Sequence, residues 1–220
     1  MAMNLEAGFF VTLDGPSGVG KTTVSKILAD LLKQQGYRVM LTTEPSPSPI
    51  GNLARYGTYS YHGLALSLLI AADRYHHGET VIWPALEQGD VVVCDRYIPS
   101  SMVLDQLDGV DPEYVQMLYQ YLPHPDLAVF LAADPMVCRA RAAARGNHTR
   151  FQETSPDGNE NEFALYQVVA PKLAEQGYPV HVVDIGERTA MEVALAITSE
   201  IASHRRVLSQ HSYSDPTAEG

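Results

Sequence analysis

Five short apolar stretches recur along the chain and predict the strands of a single sheet. The stretch at 91–94, VVVC, is apolar at every position, which is typical of a strand buried on both faces of a parallel sheet. Between these stretches apolar residues return at helical spacing, so strands and helices are expected to alternate. The predicted strands cover residues 8–13, 38–43, 91–94, 127–132 and 179–184.

Turn-forming and capping residues mark where several helices begin and end. Gly36 follows one helical stretch, and Asp111-Pro112 is a typical helix start, with Asp as the N-cap and Pro in the first turn. The proline-rich stretch 44–51 is predicted to be a loop or a helix entry. Helices are predicted over residues 21–35, 63–88 with a break near Gly78, around 139–141, 163–176 and 188–203.

This order of elements predicts an α/β fold, a three-layer α/β/α sandwich around a five-stranded parallel sheet. Residues 1–205 are expected to form one domain, because no repeat and no linker divides them. The polar stretch 146–162 is predicted to be mobile, with a lid at about 143–160. The tail at 206–220 has little apolar content and is predicted to be flexible.

Composition and charge narrow the possible partners. The chain is 45 % apolar with a net charge of −11, an acidic balance that argues against binding a nucleic acid polymer or an anionic membrane. A small anionic ligand held by a few local cations remains compatible with it. Cys94 and Cys138 lie in apolar stretches, and residues 1–10 contain no basic segment, so a cytoplasmic protein is expected.

The strongest motif follows the first predicted strand, where residues 15–22 read G-P-S-G-V-G-K-T. Glycines let the backbone fold around phosphate oxygens, and the helix that follows directs its N-terminus at them. Lys21 would reach the outer phosphates of ATP, and the Thr22 hydroxyl would bind Mg²⁺. The predicted ATP-binding residues are Gly15, Pro16, Ser17, Gly18, Val19, Gly20, Lys21, Thr22 and Thr23.

A carboxylate and a guanidinium end the strand at 91–94. In proteins with such a phosphate loop, an Asp at this place binds Mg²⁺, and ligands collect at the carboxyl edge of parallel strands. Asp95 is therefore predicted to assist the metal together with Thr22, with Arg96 beside it; alternatively, Asp95 caps the next helix. The chain contains no Asn-Lys-x-Asp string, which argues against a switch GTPase.

Four of the eleven arginines cluster at 139–150, beside the polar stretch. Phosphoryl transfer needs cations over the migrating group, and a closing lid can deliver them and exclude water. The alternative is a solvated helix face, since Arg141 and Arg145 are one turn apart. The cluster comprises Arg139, Arg141, Arg145 and Arg150.

Arg74 interrupts an apolar helical stretch and needs partners there. It either forms a salt bridge with a carboxylate or reads a ligand. Asp73, His76 and His77 have a spacing that could also bind a metal, although no other ligand cluster accompanies them.

Together these segments resemble the thymidylate kinase family. The strings GPSGVGKTT, TEPSPSPIG, AADRYHH, CDRY and RARAAARGNHTRF occur in the family's order and spacing, and the resemblance covers residues 8–200. It implies the phosphate-loop NTPase fold and transfer of the γ-phosphoryl group of ATP, with Mg²⁺, to dTMP, giving dTDP. It also implies a homodimer through helices packed face to face, which the apolar helix GLALSLLIAA would allow.

The resemblance also implies roles for individual residues. Thr22 and Asp95 would bind Mg²⁺. The implied catalytic residues are Lys21, Asp95, Arg96, Arg141, Arg145 and Arg150. The implied acceptor-binding residues are Glu44, Pro45, Ile70, Arg74, Arg96, Ser101 and Leu104.

The chain departs from the family pattern mainly on the acceptor side. Ile70 stands where a Phe usually stacks on thymine, and Leu104 where a Tyr usually crowds the 2′ position of the sugar. Ser17 replaces an acidic residue of the phosphate loop, and Thr43 replaces an Arg. Besides a dTMP kinase, two alternatives therefore remain open. One is a kinase for a ribonucleotide, a modified pyrimidine nucleotide or a natural-product intermediate; the other is an ATPase or switch without an acceptor.

Overall fold

The computed structural model describes residues 8–145, 151 and 156–211, and its centre is a five-stranded sheet. The strand order is β2-β3-β1-β4-β5, and every neighbouring pair is parallel. All five strands lie where the apolar stretches predict them. Their bounds are β1 Phe9–Asp14, β2 Val39–Thr43, β3 Val91–Asp95, β4 Leu127–Ala132 and β5 Val180–Asp184.

Helices connect the strands and cover both faces of the sheet. Val11 packs with Leu28 and Ile197 on one face, whereas Phe10 packs with Val169 on the other, as alternation along β1 requires. The predicted α/β/α sandwich is therefore confirmed. The helices are α1 Lys21–Gln34, α2 Pro49–Tyr56, α3 Gly63–His77, α4 Trp83–Glu87, α5 Ile98–Leu107, α6 Pro112–Leu118, α7 Pro135–Arg145, α8 Pro156–Glu175 and α9 Ala190–His211.

Local signals placed the starts of α1, α3 and α6 correctly. Asp111 caps α6 by accepting hydrogen bonds from the backbone N–H groups of Glu113 and Tyr114, at 2.8 and 3.3 Å. The predicted break near Gly78 is a π-helical turn, Gly78–Ile82, between α3 and α4. The proline-rich stretch enters a helix, because Ser48 accepts a hydrogen bond from the Gly51 N–H at 3.0 Å and so caps α2.

Two helices extend beyond their predicted bounds. α8 begins at Pro156 rather than at residue 163, so part of the stretch predicted to be mobile is helical. α9 continues to His211 rather than ending at residue 203. Half of the predicted lid at about 143–160 lies outside the described residues, as does 212–220 of the tail, and both stay predictions.

Within the described ranges, every helix is too short or too polar to cross a bilayer. Both cysteines are buried and free. Cys94 lies in β3 and Cys138 in α7, so each fills core space beneath the carboxyl edge of the sheet.

Candidate active site at the carboxyl edge of the sheet

The phosphate loop, residues 15–20, connects β1 to α1 and is packed tightly against its surroundings. Gly15 and Gly18 have φ values of 140° and 81°. A Cβ atom at Gly15 would lie 2.4 Å from the carbonyl oxygen of Leu131, and one at Gly18 would lie 2.1 Å from that of Cys138. Only glycine fits at these two positions.

A cavity of about 820 Å³ opens beside this loop. Gly20 is the left-handed N-cap of α1, and among the described residues no side chain caps this helix. The positive end of the helix dipole therefore meets the cavity, as an anion-binding site requires. Of the predicted residues, the cavity is lined by Gly18, Gly20, Lys21, Thr22, Thr23, Asp95 and Arg96, whereas Gly15, Pro16, Ser17 and Val19 shape the loop behind it.

Lys21 folds back onto the phosphate loop. Its Nζ donates hydrogen bonds to the carbonyl oxygens of Gly15 and Pro16, at 2.7 and 2.9 Å, and the side chain is buried. Burial and the nearby charge of Arg96 lower the pKa of Lys21 to about 7. The ammonium is thus held at the cavity wall by weak partners that an anionic phosphate can replace.

Thr22 and Asp95 meet across the cavity floor. The Thr22 hydroxyl donates a hydrogen bond of 2.5 Å to Asp95 Oδ2. Hydroxyl and carboxylate oxygens are the hard donors that Mg²⁺ prefers, so this pair fits such an ion. Asp95 does not cap α5; Asp14 accepts from the backbone N–H groups of Tyr97 and Ser100 instead, at 3.1 and 3.0 Å.

Arg96 reaches the cavity from an unusual backbone conformation. Its φ is 79°, in the left-handed region, and its N–H donates to the Leu13 carbonyl at 2.9 Å. Its Nη1 donates to the Ser100 hydroxyl at 3.3 Å. Burial acts to lower the pKa of Arg96. The neighbouring Tyr166 and Asp95 raise the pKa by more than burial lowers it, so the net shift is upward.

A second guanidinium, that of Arg55, lines the same cavity and was missed by sequence reasoning. Arg55 lies in the last turn of α2, and its Nη2 donates to the Pro45 carbonyl. The sequence carries no local signal for this placement. It depends on the packing of α2 against α3.

Glu162, from α8, is the other missed residue. It is buried and accepts hydrogen bonds from the Ser17 backbone N–H, at 3.1 and 3.2 Å, and from the Ser17 hydroxyl at 3.4 Å. A carboxylate thus lies against the phosphate loop although position 17 itself is not acidic. The 145 positions that separate the two residues hid this contact from the sequence.

A buried group of polar side chains, the Glu44–Arg74 cluster, adjoins the cavity at the end of β2. It consists of Glu44, Arg74, Tyr97, Ser101 and Tyr119. Arg74 Nε donates to Glu44 Oε2, and Arg74 Nη1 donates to the Ser101 hydroxyl at 3.1 Å. The guanidinium carbon lies 4.6 Å from the Tyr119 ring centroid and 5.5 Å from that of Tyr97.

This cluster contains the salt bridge that sequence reasoning left open for Arg74. Arg74 and Glu44 are 3 % and 1 % exposed. Burial acts to lower the pKa of Arg74. The Glu44 carboxylate is the largest of the effects that raise it, and the net shift is upward. The guanidinium therefore stays charged inside the protein, with Glu44 as its carboxylate partner.

Of the predicted acceptor residues, Arg96 lines the cavity, whereas Glu44, Arg74 and Ser101 of this cluster, and Pro45, Ile70 and Leu104 near it, do not. Ile70 on α3 and Leu104 on α5 are half-buried, and Pro45 follows Glu44. The metal spacing at 73–77 serves other contacts. Asp73 accepts from the Ser46 N–H at 2.6 Å, and no group of three metal-binding side chains occurs in the described part of the chain.

The arginine cluster is only partly described. Arg139 is half-buried and Arg141 is exposed, both on α7. Arg145 ends that helix, and its side chain and the whole of Arg150 lie outside the described residues. Neither Arg139 nor Arg141 lines the cavity, so the roles of Arg141, Arg145 and Arg150 stay predictions.

Comparison with known proteins connects this site to one family. The family model described as thymidylate kinase matches residues 13–193. A probable thymidylate kinase of Pyrococcus abyssi is 40 % identical over 156 residues, which cover 66 % of this chain and 75 % of that protein. A thymidylate kinase of Clavibacter sepedonicus is 35 % identical over 204 residues, which cover 86 % of this chain and 97 % of that protein.

A solved structure has the same fold. The crystal structure of thymidylate kinase from Ehrlichia chaffeensis superposes with a TM-score of 0.65 at 23 % identity, covering 89 % of this chain and 98 % of that one. The matched region contains the phosphate loop, the Glu44–Arg74 cluster and Asp95-Arg96. On the extent of these matches, the chain belongs to the thymidylate kinase family.

Proposed function

We propose that this protein transfers the γ-phosphoryl group of ATP to dTMP, producing ADP and dTDP. The observation that carries the proposal is one cavity lined by the phosphate loop, by the ammonium group of Lys21 and by the guanidinium groups of Arg55 and Arg96. Phosphoryl transfer depends on positioning and on charge stabilisation, and this cavity offers both. The family relatives are named for the same reaction.

ATP occupies the phosphate-loop side of the cavity in this proposal. The backbone of residues 15–23 and the N-terminus of α1 hold the phosphates. Lys21 leaves the carbonyl oxygens of Gly15 and Pro16 and pairs with the outer phosphates, where its full charge is stabilised.

Thr22 and Asp95 would hold Mg²⁺, because their oxygen atoms are the hard donors that this ion prefers. When bound, the ion neutralises part of the charge on the β- and γ-phosphates. Tyr166 and Asp95 raise the pKa of Arg96, so its guanidinium stays charged at the cavity wall.

The monophosphate acceptor occupies the opposite side. Arg55 and Arg96 hold its phosphate group so that one of its oxygens faces the γ-phosphorus of ATP in line. Arg74 hydrogen-bonds the base, with Ser101 beside it, and Ile70 and Leu104 form apolar walls. Arg141, Arg145 and Arg150 close over the migrating phosphoryl group from the lid and exclude water.

An acceptor panel tests this proposal. Purified protein receives ATP and Mg²⁺ with dTMP, dUMP, UMP or CMP, and the nucleoside diphosphates are separated and quantified. We expect the highest kcat/KM with dTMP. A higher value with UMP or CMP would support the shifted-acceptor alternative, which neither the family match nor the relatives favour. ADP release that no acceptor increases would refute the kinase proposal.

We also infer that the protein forms a homodimer in the cytoplasm. Leu64 and Leu68 lie one turn apart on α3 and are 54 % and 49 % exposed, which leaves an apolar stripe for a second copy. Light scattering on a sizing column checks this. The wild type is expected to have the mass of a dimer, and Leu68→Glu the mass of a monomer. The free cysteines support a reducing compartment.

A further inference from the structure

His77 is a buried histidine whose two ring nitrogens both have protein partners. It is the last residue of α3 and only 2 % exposed. Its Nδ1 lies 3.2 Å from Glu44 Oε1, and its Nε2 lies 2.8 Å from Thr42 Oγ1. The ring therefore connects the Glu44–Arg74 cluster to Thr42, which lines the large cavity.

The chemistry of the partners determines the direction of these bonds. A carboxylate can only accept a hydrogen bond, so Nδ1 carries a proton and donates it to Glu44. The Thr42 hydroxyl donates to Nε2 when the ring is neutral, and accepts from it when both ring nitrogens carry protons. With both nitrogens bonded, the imidazole is held in one orientation and cannot flip without breaking two buried hydrogen bonds.

Glu44 in turn holds the Arg74 side chain in place. Its Oε1 bonds to His77 and its Oε2 bonds to Arg74 Nε, so the two partners together hold the plane of the carboxylate. Arg74 then extends to the Ser101 hydroxyl and lies over the Tyr119 ring. Without His77, Glu44 Oε1 would lose a buried partner and the carboxylate could rotate away from Arg74.

We propose that His77 is a positioning residue for the nucleotide acceptor. It holds Glu44, and through Glu44 it holds Arg74 in the orientation that receives the base, without touching the substrate itself. This inference rests on the proposed function, in which Arg74 hydrogen-bonds the acceptor base. It assigns His77 to acceptor affinity and leaves ATP binding independent of it.

Two amide substitutions separate this role from a structural one. In His77→Asn the amide nitrogen takes the place of Nδ1 and can still donate to Glu44, whereas in His77→Gln the amide lies where Nε2 was. We expect His77→Gln to raise the dissociation constant and the KM for dTMP by about tenfold or more, the effect of leaving one buried group unpaired. His77→Asn is expected to stay within about threefold of the wild type, because the Glu44 contact survives.

The neighbouring residue supplies the matched control. His76 lies on the exposed side of the same turn, so His76→Gln should leave the dTMP affinity, the KM for both substrates and the melting temperature at wild-type values. The dissociation constant is measured by titration calorimetry on the full chain, and the KM values come from steady-state kinetics. Thermal melts of all variants accompany both measurements.

The results distinguish the inference from the proposed function. Wild-type protein that binds dTMP but does not phosphorylate it would refute the proposed function and still allow the variants to be ranked by affinity. Wild-type protein that does not bind dTMP would overturn both. Equal dTMP affinity in the wild type, His77→Asn and His77→Gln would overturn the inference. Parallel losses for dTMP and ATP, tracking the melting temperature, would overturn it too.

Discussion

The Glu44–Arg74 cluster adjoins Asp95 on the ATP side, since the Glu44 N–H donates to the Asp95 carbonyl at 3.0 Å, yet the cluster and the phosphate loop are built in different ways. The loop is one continuous segment in which glycines and backbone groups do most of the work. The cluster brings together side chains from the end of β2, from α3, from α5 and from α6. A change on the ATP side should therefore alter chemistry with little effect on stability, whereas a change in the cluster should alter both.

Lys21→Ala is expected to show the largest loss of activity. Removing a cation that stabilises the migrating phosphoryl group should reduce kcat/KM by about a thousandfold. Stability should not fall, because the charge of Lys21 is unfavourably buried in the free protein, as its lowered pKa of about 7 indicates. Steady-state kinetics and a thermal melt check both statements, with the exposed Lys33→Ala as the control. Near-normal turnover would contradict the placement of ATP.

Arg74→Met, by contrast, should lower stability as well as activity. Methionine leaves the buried Glu44 carboxylate without its main partner, which is expected to cost about 3–5 kcal/mol of unfolding free energy. Denaturant titration measures this cost, and kcat/KM for the acceptor should fall with it. A variant as stable as the wild type would show that the cluster does not depend on its salt bridge, and the contrast with the phosphate loop would disappear.

The pH dependence of ATP binding is a smaller effect on the loop side. Below pH 7 Lys21 is protonated in both the free and the ATP-bound protein; above it, the free protein loses this proton and ATP restores it. ATP binding should therefore take up a proton, increasingly so from pH 6 to pH 8, and the affinity should weaken as the pH rises. Calorimetry in buffers of different ionisation enthalpy measures the uptake. An equal uptake in Lys21→Ala would assign the proton to another group.

The smallest effect is expected at the wall of the acceptor side. Leu104→Tyr places a phenol on the half-buried side of α5, beside the proposed sugar position, and should increase the preference for dTMP over its ribose analogue by about fivefold to tenfold. The ratio of kcat/KM for the two nucleotides measures it. An unchanged ratio would show that Leu104 does not face the sugar.

Local patterns were sufficient for the sheet and for the position of the phosphate loop. Apolar runs located all five strands, and Asp111 located the start of α6, because these signals act over a few neighbouring residues. The start of α8 was predicted wrongly because the composition of 146–162, which includes Glu162, is polar and indicated a mobile stretch. Its burial depends on Ser17, far along the chain.

The phosphate loop and Asp95 could be found from the amino-acid order alone, since glycines, a lysine and a strand-terminal carboxylate act through backbone geometry that adjacent residues create. Arg55, Glu162 and the bonding of His77 to Glu44 appear only once the chain is packed. Their partners come from distant segments, and the free energy of burying a charge or a donor depends on what lies opposite it, which no local pattern encodes.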